Sequence, residues 1–165
     1  MTRTESPVAN PGTEPAPSKL TVMRAVAKGR VGLAVEVDCG EHVVHSDMPV
    51  PRGGTNAAPA PGHLMRAAVA ACLAIGYKTW GAQQGIPIDD VEIDFATEND
   101  MHAQTGVGRG PVGWQRMRWH VRLTSTANDT QISQLLDRAE QLSPMLASID
   151  PHCERVRTFE VRRPK

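Results

Sequence analysis

The segment Gly62 to Gln84 does most to decide what this chain can fold into: it is dense in Ala and Leu, holds no proline and presents small or apolar residues on both faces. Such a composition favours a helix, and Gly85 offers a stop where the chain can turn left-handed. A helix that is hydrophobic all round must be covered on every side. Either a sheet and a second helix do this, or a second subunit does. The uncharged run within this helix, Ala67 to Tyr77, is well short of the roughly 20 residues that span a bilayer, so no transmembrane helix is expected.

Strands surround this helix in the chain order. Leu20 to Ala27 and Val31 to Val37 read as two strands joined at Lys28-Gly29-Arg30, with Val31, Leu33, Val35 and Val37 alternating as a half-buried strand requires. His42 to Ser46 makes a third. The stretch from Pro49 to Pro61 is a restricted loop, since its prolines remove backbone donors and its glycines admit unusual dihedrals. Val91 to Phe95 and Trp114 to Thr124 alternate as strands, the latter setting Arg116, Arg118, His120 and Arg122 against Met117, Trp119, Val121 and Leu123. From Asn128 or Asp129 an amphipathic helix carries Ile132, Leu135, Leu136, Ala139, Leu142 and Leu146, with Pro144 ending its regular part just after Ser143. Val156 to Arg162 closes the chain as an edge strand. The pattern is α+β.

At 165 residues the chain suits one domain, taken as 20–165 behind a solvated tail from Met1 to Lys19 that is rich in Pro, Thr, Ser and Glu. Lys+Arg and Asp+Glu both number 18, so no net positive field draws in nucleic acid or an anionic membrane. Three scattered cysteines, Cys39, Cys72 and Cys153, do not make a secreted disulfide framework. With no apolar leader at the N-terminus, a cytoplasmic location is expected.

Cys72 ends Ala67-Ala-Val-Ala-Ala71 in the apolar helix, where small neighbours let another element approach the sulfur. The plainer alternative is a small buried hydrophobe, the commoner fate of a free cysteine. Other candidates are weaker. Gly106 to Gly113 is glycine-rich but runs into a strand, the wrong context for a phosphate loop. In Cys39-x-x-His42-x-x-His45, residues three apart on a strand point to opposite faces, which argues against a metal site. The arginines of Trp114 to Thr124 suit a solvated outer sheet face better than an RNA surface.

Ser46-Asp-Met-Pro49, Gly53-Gly-Thr-Asn56, Pro61-Gly-His-Leu64 and Ala70-Ala-Cys72 resemble, in order and spacing, the OsmC/Ohr family of osmotically inducible and organic hydroperoxide resistance proteins. The resemblance runs from about Leu20 to Arg163 and is most specific from Gly53 to Cys72. It implies an OsmC-like fold and an intertwined homodimer whose long helices lie between curved sheets, which would cover the apolar helix. It also implies a peroxidatic cysteine at Cys72 that reduces organic hydroperoxides, with no cofactor and no metal.

Two positions depart from the hydroperoxide-reducing branch. Its second cysteine, in a Cys-Pro step, is replaced by Ser143-Pro144, and its glutamate ten residues before the reactive cysteine by Gly62. Serine donates a hydrogen bond to a thiolate but forms no disulfide, so two-cysteine turnover through position 143 is excluded and an external thiol must serve as reductant. The branch's activating arginine matches Arg30 best, with Arg24 and Arg52 as alternatives. His63 is a candidate donor or base. It lies on a different helical face from Cys72, about 13 Å along the axis, so a contact needs the other subunit or a bent entry. Cys153 is the only later thiol, and its spacing predicts no contact with Cys72. The expected activity is single-cysteine hydroperoxide reduction. The rival is a non-peroxidatic relative binding an apolar or electrophilic small molecule at the dimer interface.

Overall fold

The computed structural model describes residues 17–29 and 31–164. The expected tail therefore lies outside the described residues as far as position 16, and so does Arg30. Strands β1 (Val26–Gly29), β2 (Val35–Asp38) and β3 (Val43–Ser46) form an antiparallel meander. Helix α1 (Pro61–Gln84) follows, then β4 (Asp90–Asn99), the short α2 (Met101–Gln104), β5 (Trp114–Thr124), α3 (Asp129–Gln141), α4 (Pro144–Ala147) and β6 (Glu154–Arg162). In the second sheet β5 is central, antiparallel to β4 and parallel to β6.

The core lies between this second sheet and the helices. Val69, Leu73 and Tyr77 repeat every four residues along α1 and turn one face of it inward; Ile132, Leu135, Leu136 and Ala139 do the same for α3. All but Leu135, which packs beside Gly81 of α1, join Met117, Trp119, Val121 and Leu123, the inward row of β5. Each large aliphatic side chain buried there stabilises the fold by about 1.5–3 kcal/mol. On the opposite face Arg116 reaches Glu154 at 2.7 Å, Arg118 reaches Glu98 at 3.0 Å and Arg122 reaches Glu92 at 2.6 Å. Cross-strand carboxylates thus neutralise the basic row that the sequence suggested as a solvated outer face.

Local chemistry sets the boundaries. Gly85 is left-handed at φ 67°, and the N–H groups of Ile86 and Gly85 donate to Gly81 and Ala82 carbonyls, which stops α1. Asn128 and Gln131 exchange side-chain hydrogen bonds with each other's backbone N–H in a capping box at the start of α3.

The first hairpin differs from expectation. Residues 20–25 hold no strand, and the chain turns after Gly29, with Gly32 left-handed at φ 78° and β2 starting only at Val35. The Val31 and Leu33 alternation is incidental: Val31 is fully exposed, and neither residue is in a strand. The Pro49 to Pro61 loop contains one 3-10 turn, Val50–Arg52, allowed because proline suits the first position of a helical turn. Helix α2, capped by the Asp100 carboxylate, was not anticipated, and β6 starts at Glu154, two residues before the expected Val156.

One face of α1 has no cover among the described residues. Ile75 is 65% exposed and Met65 47%, with Ala68 and Ala71 exposed between them. The apolar stripe that demanded cover on every side is therefore half satisfied by the chain's own sheet and helices.

Candidate functional site

Cys72 sits at the border between the covered and uncovered faces of α1, immediately before the buried Leu73, and is itself half-buried. Its Sγ lies 3.5 Å from the Oγ of Ser143. The local sequence explains that approach. Regular α3 ends at Gln141, and Pro144 occupies the first turn of α4, which puts Ser143 at the N-cap between the two helices. There the Ser143 Oγ accepts the Leu146 N–H at 3.2 Å. With that lone pair engaged, the hydroxyl proton is free to point at the sulfur. The result is a hydroxyl facing a thiol, a pair in which either group can donate to the other.

A buried polar cluster holds the end of α3 that carries Ser143. Tyr77 donates to Glu140 Oε1 at 2.6 Å, Trp119 Nε1 reaches the same oxygen at 3.4 Å, and Arg157 donates to it at 3.0 Å while also gripping Asp137 at 2.8 Å. Burial, then the charge and hydrogen bond of Glu140, push the Tyr77 phenol far above its ordinary range. Sequence patterning missed this cluster. The one clue was a tryptophan on an inward row, whose N–H must find an acceptor.

The motif residues before α1 are structural. Asp47, 2% exposed, accepts hydrogen bonds from the Thr55 hydroxyl at 2.6 Å, the Thr55 N–H at 2.9 Å, the Ala57 N–H at 3.2 Å and the Met48 N–H at 2.7 Å. The Thr55 hydroxyl, followed by these backbone donors, holds its carboxyl down at about 2. Gly54 passes so close to Met48 that an added Cβ would lie 1.8 Å from its carbonyl oxygen. Gly53 and Asn56 take positive φ of 85° and 58°. Gly-Gly-Thr-Asn therefore folds the loop around a buried carboxylate and aims the chain into α1.

Gly62 and His63, in the first turn of α1, line an open cleft of about 590 Å³ together with Arg52 and Arg66. Cys72 is not among its walls. The Arg52 guanidinium lies 3.6 Å from Met101 Sδ, on the far side of this cleft. Cys153 is buried, and its Sγ is directed to the Glu154 carbonyl at 3.8 Å; burial raises its thiol pKa. Cys39 is exposed at the β2–β3 turn. Among the described residues no group of His, Cys, Asp and Glu side chains is arranged to hold a metal ion, and no helix is long and apolar enough to cross a membrane.

A two-sheet α+β chain whose long helix carries a half-buried thiol against the serine of an interhelical break is the class these features define. A family profile for OsmC-like proteins matches residues 54–155. The chain belongs to that family. Its fold is similar to that of an OsmC-like protein from Mycoplasma pneumoniae, at 13% identity and TM-score 0.72 over 88% of this chain and 99% of the other. An organic hydroperoxide resistance protein OsmC from Legionella pneumophila is 20% identical, with TM-score 0.67 over 87% of this chain and all of the other. An organic hydroperoxide resistance protein from Elizabethkingia anophelis is 18% identical, with TM-score 0.68 over 87% and 99% of the two chains. No curated protein sequence matches the chain significantly.

Proposed function

We propose that this protein is a cytoplasmic, homodimeric thiol peroxidase that reduces organic hydroperoxides through Cys72 alone. The observation that carries the reading is the 3.5 Å approach of Ser143 Oγ to Cys72 Sγ. The thiolate attacks the terminal peroxide oxygen, a sulfur–oxygen bond forms as the oxygen–oxygen bond breaks, and the alkoxide leaves as alcohol after taking a proton. The sulfenic acid then condenses with an external thiol, releasing water, and a second thiol frees Cys72 as the external disulfide. Ser143 orients the sulfur, and Arg30 polarises the peroxide. Gly62 and His63 bind the organic part of the substrate. They lie about two and a half to three turns before Cys72, roughly 13–15 Å along the axis and beyond direct reach within one subunit, so in this reading they act across the dimer.

The exposed stripe of Met65, Ala68, Ala71 and Ile75 supports the homodimer, because an apolar face flanking the thiol is stable only when covered. Stopped-flow mixing with an organic hydroperoxide tests the reading: Cys72 should be oxidised far faster than a free thiol, and oxidation at the free-thiol rate removes it.

The second reading is a non-peroxidatic protein that binds an apolar or electrophilic small molecule at the dimer interface. Ser143 in place of a resolving cysteine and Gly62 in place of a carboxylate favour it. Under this reading Cys72→Ala leaves ligand binding intact, whereas peroxidase turnover is abolished by the same change.

A further inference from the structure

The cleft at the N-terminal end of α1 has a chemistry of its own. Its walls include the cations Arg52 and Arg66 and the imidazole of His63, and no aspartate or glutamate is among them. On β5 and β6 every arginine except Arg155 faces a carboxylate, and Arg155 donates to the carbonyls of Leu146 and Ile149. Neither Arg52 nor Arg66 has a carboxylate partner among the described residues; the Arg52 guanidinium rests on the Met101 thioether. Two guanidinium groups thus converge on one concavity with their charge unanswered.

A second observation falls in the same place. Asn99 Oδ1 is the one buried side-chain polar atom without a hydrogen-bond partner among the described residues, and Asn99 is a wall of this cleft. Native proteins seldom leave such groups unpaired, and a carboxamide can present either its oxygen or its NH2 by a flip of the amide. The first turn of α1 adds the Gly62 N–H, since Pro61 has none and those of His63 and Leu64 donate to the Ala60 carbonyl; it has no side-chain cap and no acidic residue, and it is the positive end of a 24-residue helix. Met48, Met101 and Trp114 give the same cleft apolar surface, Met101 in contact with the Arg52 guanidinium. The volume, about 590 Å³, falls within the roughly 300–1,000 Å³ of small-molecule sites.

We infer that this cleft binds an organic anion, its oxyanion head between Arg52 and Arg66 and its short apolar body against Met48, Met101 and Trp114. The site shares Gly62 and His63 with the peroxidase reading but stands without any step at Cys72. Electrostatics selects the head, because two guanidinium groups lacking carboxylate partners reward an anion and discriminate against a neutral molecule of the same shape. Carboxylate and phosphate monoester share that chemistry.

Calorimetric titration of the purified full-length protein with octanoate, octyl phosphate and octanol tests it. At least one of the two anions should bind saturably and at least tenfold more tightly than octanol, and the ratio between them tells which head the cleft prefers. Arg52→Gln and Arg66→Gln should each weaken that anion at least fivefold, whereas Arg109→Gln, a loop arginine outside the cleft, and Cys72→Ala should leave its affinity unchanged. The inference is overturned if neither anion binds, if octanol binds equally well, if Arg109→Gln weakens binding as much as the cleft substitutions, or if Cys72→Ala abolishes it. Loss of peroxide reactivity with intact anion binding would remove the peroxidase reading alone.

Discussion

Cys72 Sγ and Ser143 Oγ lie 3.5 Å apart, although 71 positions separate them in the chain. A rotation about the two side chains closes that gap to the roughly 2.05 Å of a sulfur–sulfur bond. Ser143→Cys, in a background with Cys39→Ser, should therefore form an intramolecular disulfide on mild oxidation, read as the loss of two hydrogens by intact mass. A variant that keeps both thiols free places position 143 outside the cysteine's reach.

Removing the hydroxyl tests what the serine does. A hydrogen bond to a charged group is worth about 1.5–3 kcal/mol, so Ser143→Ala should slow oxidation of Cys72 by about tenfold or more. Part of the substitution's cost falls on the Leu146 N–H, which loses its cap. Ser143→Thr, which keeps both functions, should recover most of the rate. Equal rates in all three proteins would mean the serine is only a helix cap.

Acid stability should depend on Asp47. Its folded carboxyl is held at about 2, below the ordinary carboxylate value near 3.9. A depressed group stabilises the fold above the unfolded value and loses that contribution as pH falls through the folded one. The melting temperature of the wild type should therefore drop steeply between about pH 4 and pH 2. Asp47→Asn should melt lower at pH 7 and show a flatter dependence across that window.

Tyr77 has the opposite sign. Burial beside Glu140 raises its phenol, so its contribution is complete below the unfolded value near 10 and fades as pH rises above it. Alkaline unfolding should begin above about pH 10. Tyr77→Phe should remove that dependence while costing about 1–3 kcal/mol at pH 7, because the Glu140 carboxylate loses a buried donor.

Gly81 is a packing position. An added Cβ would lie 2.9 Å from the Ile86 carbonyl oxygen and 3.0 Å from Ile88 Cγ1. Alanine improves helix propensity by up to about 1 kcal/mol, but overpacking against backbone costs about 1–3 kcal/mol. Gly81→Ala should be net destabilising in urea unfolding, despite being a glycine-to-alanine change within a helix.

The order of elements was legible in the sequence because α1, β5 and α3 are long and strongly periodic, and Asn128, Gly85 and Pro144 mark their ends chemically. Cys72 was legible too, through the Gly-Gly-Thr-Asn and Ala-Ala-Cys frame. The first hairpin was not: Val31 and Leu33 alternate like strand residues, yet a left-handed Gly32 keeps both in the turn. The meeting of Cys72 with Ser143 and the grouping of Tyr77, Trp119, Glu140 and Arg157 were decided only by tertiary packing. So was the placing of Arg52 and Arg66 on one cleft, whose walls include Met101 and Gln104 of α2, a helix of one turn with too little periodicity to read. Local conformation follows from neighbouring residues, whereas a site is made by side chains brought together across loops, and sequence spacing does not encode those distances.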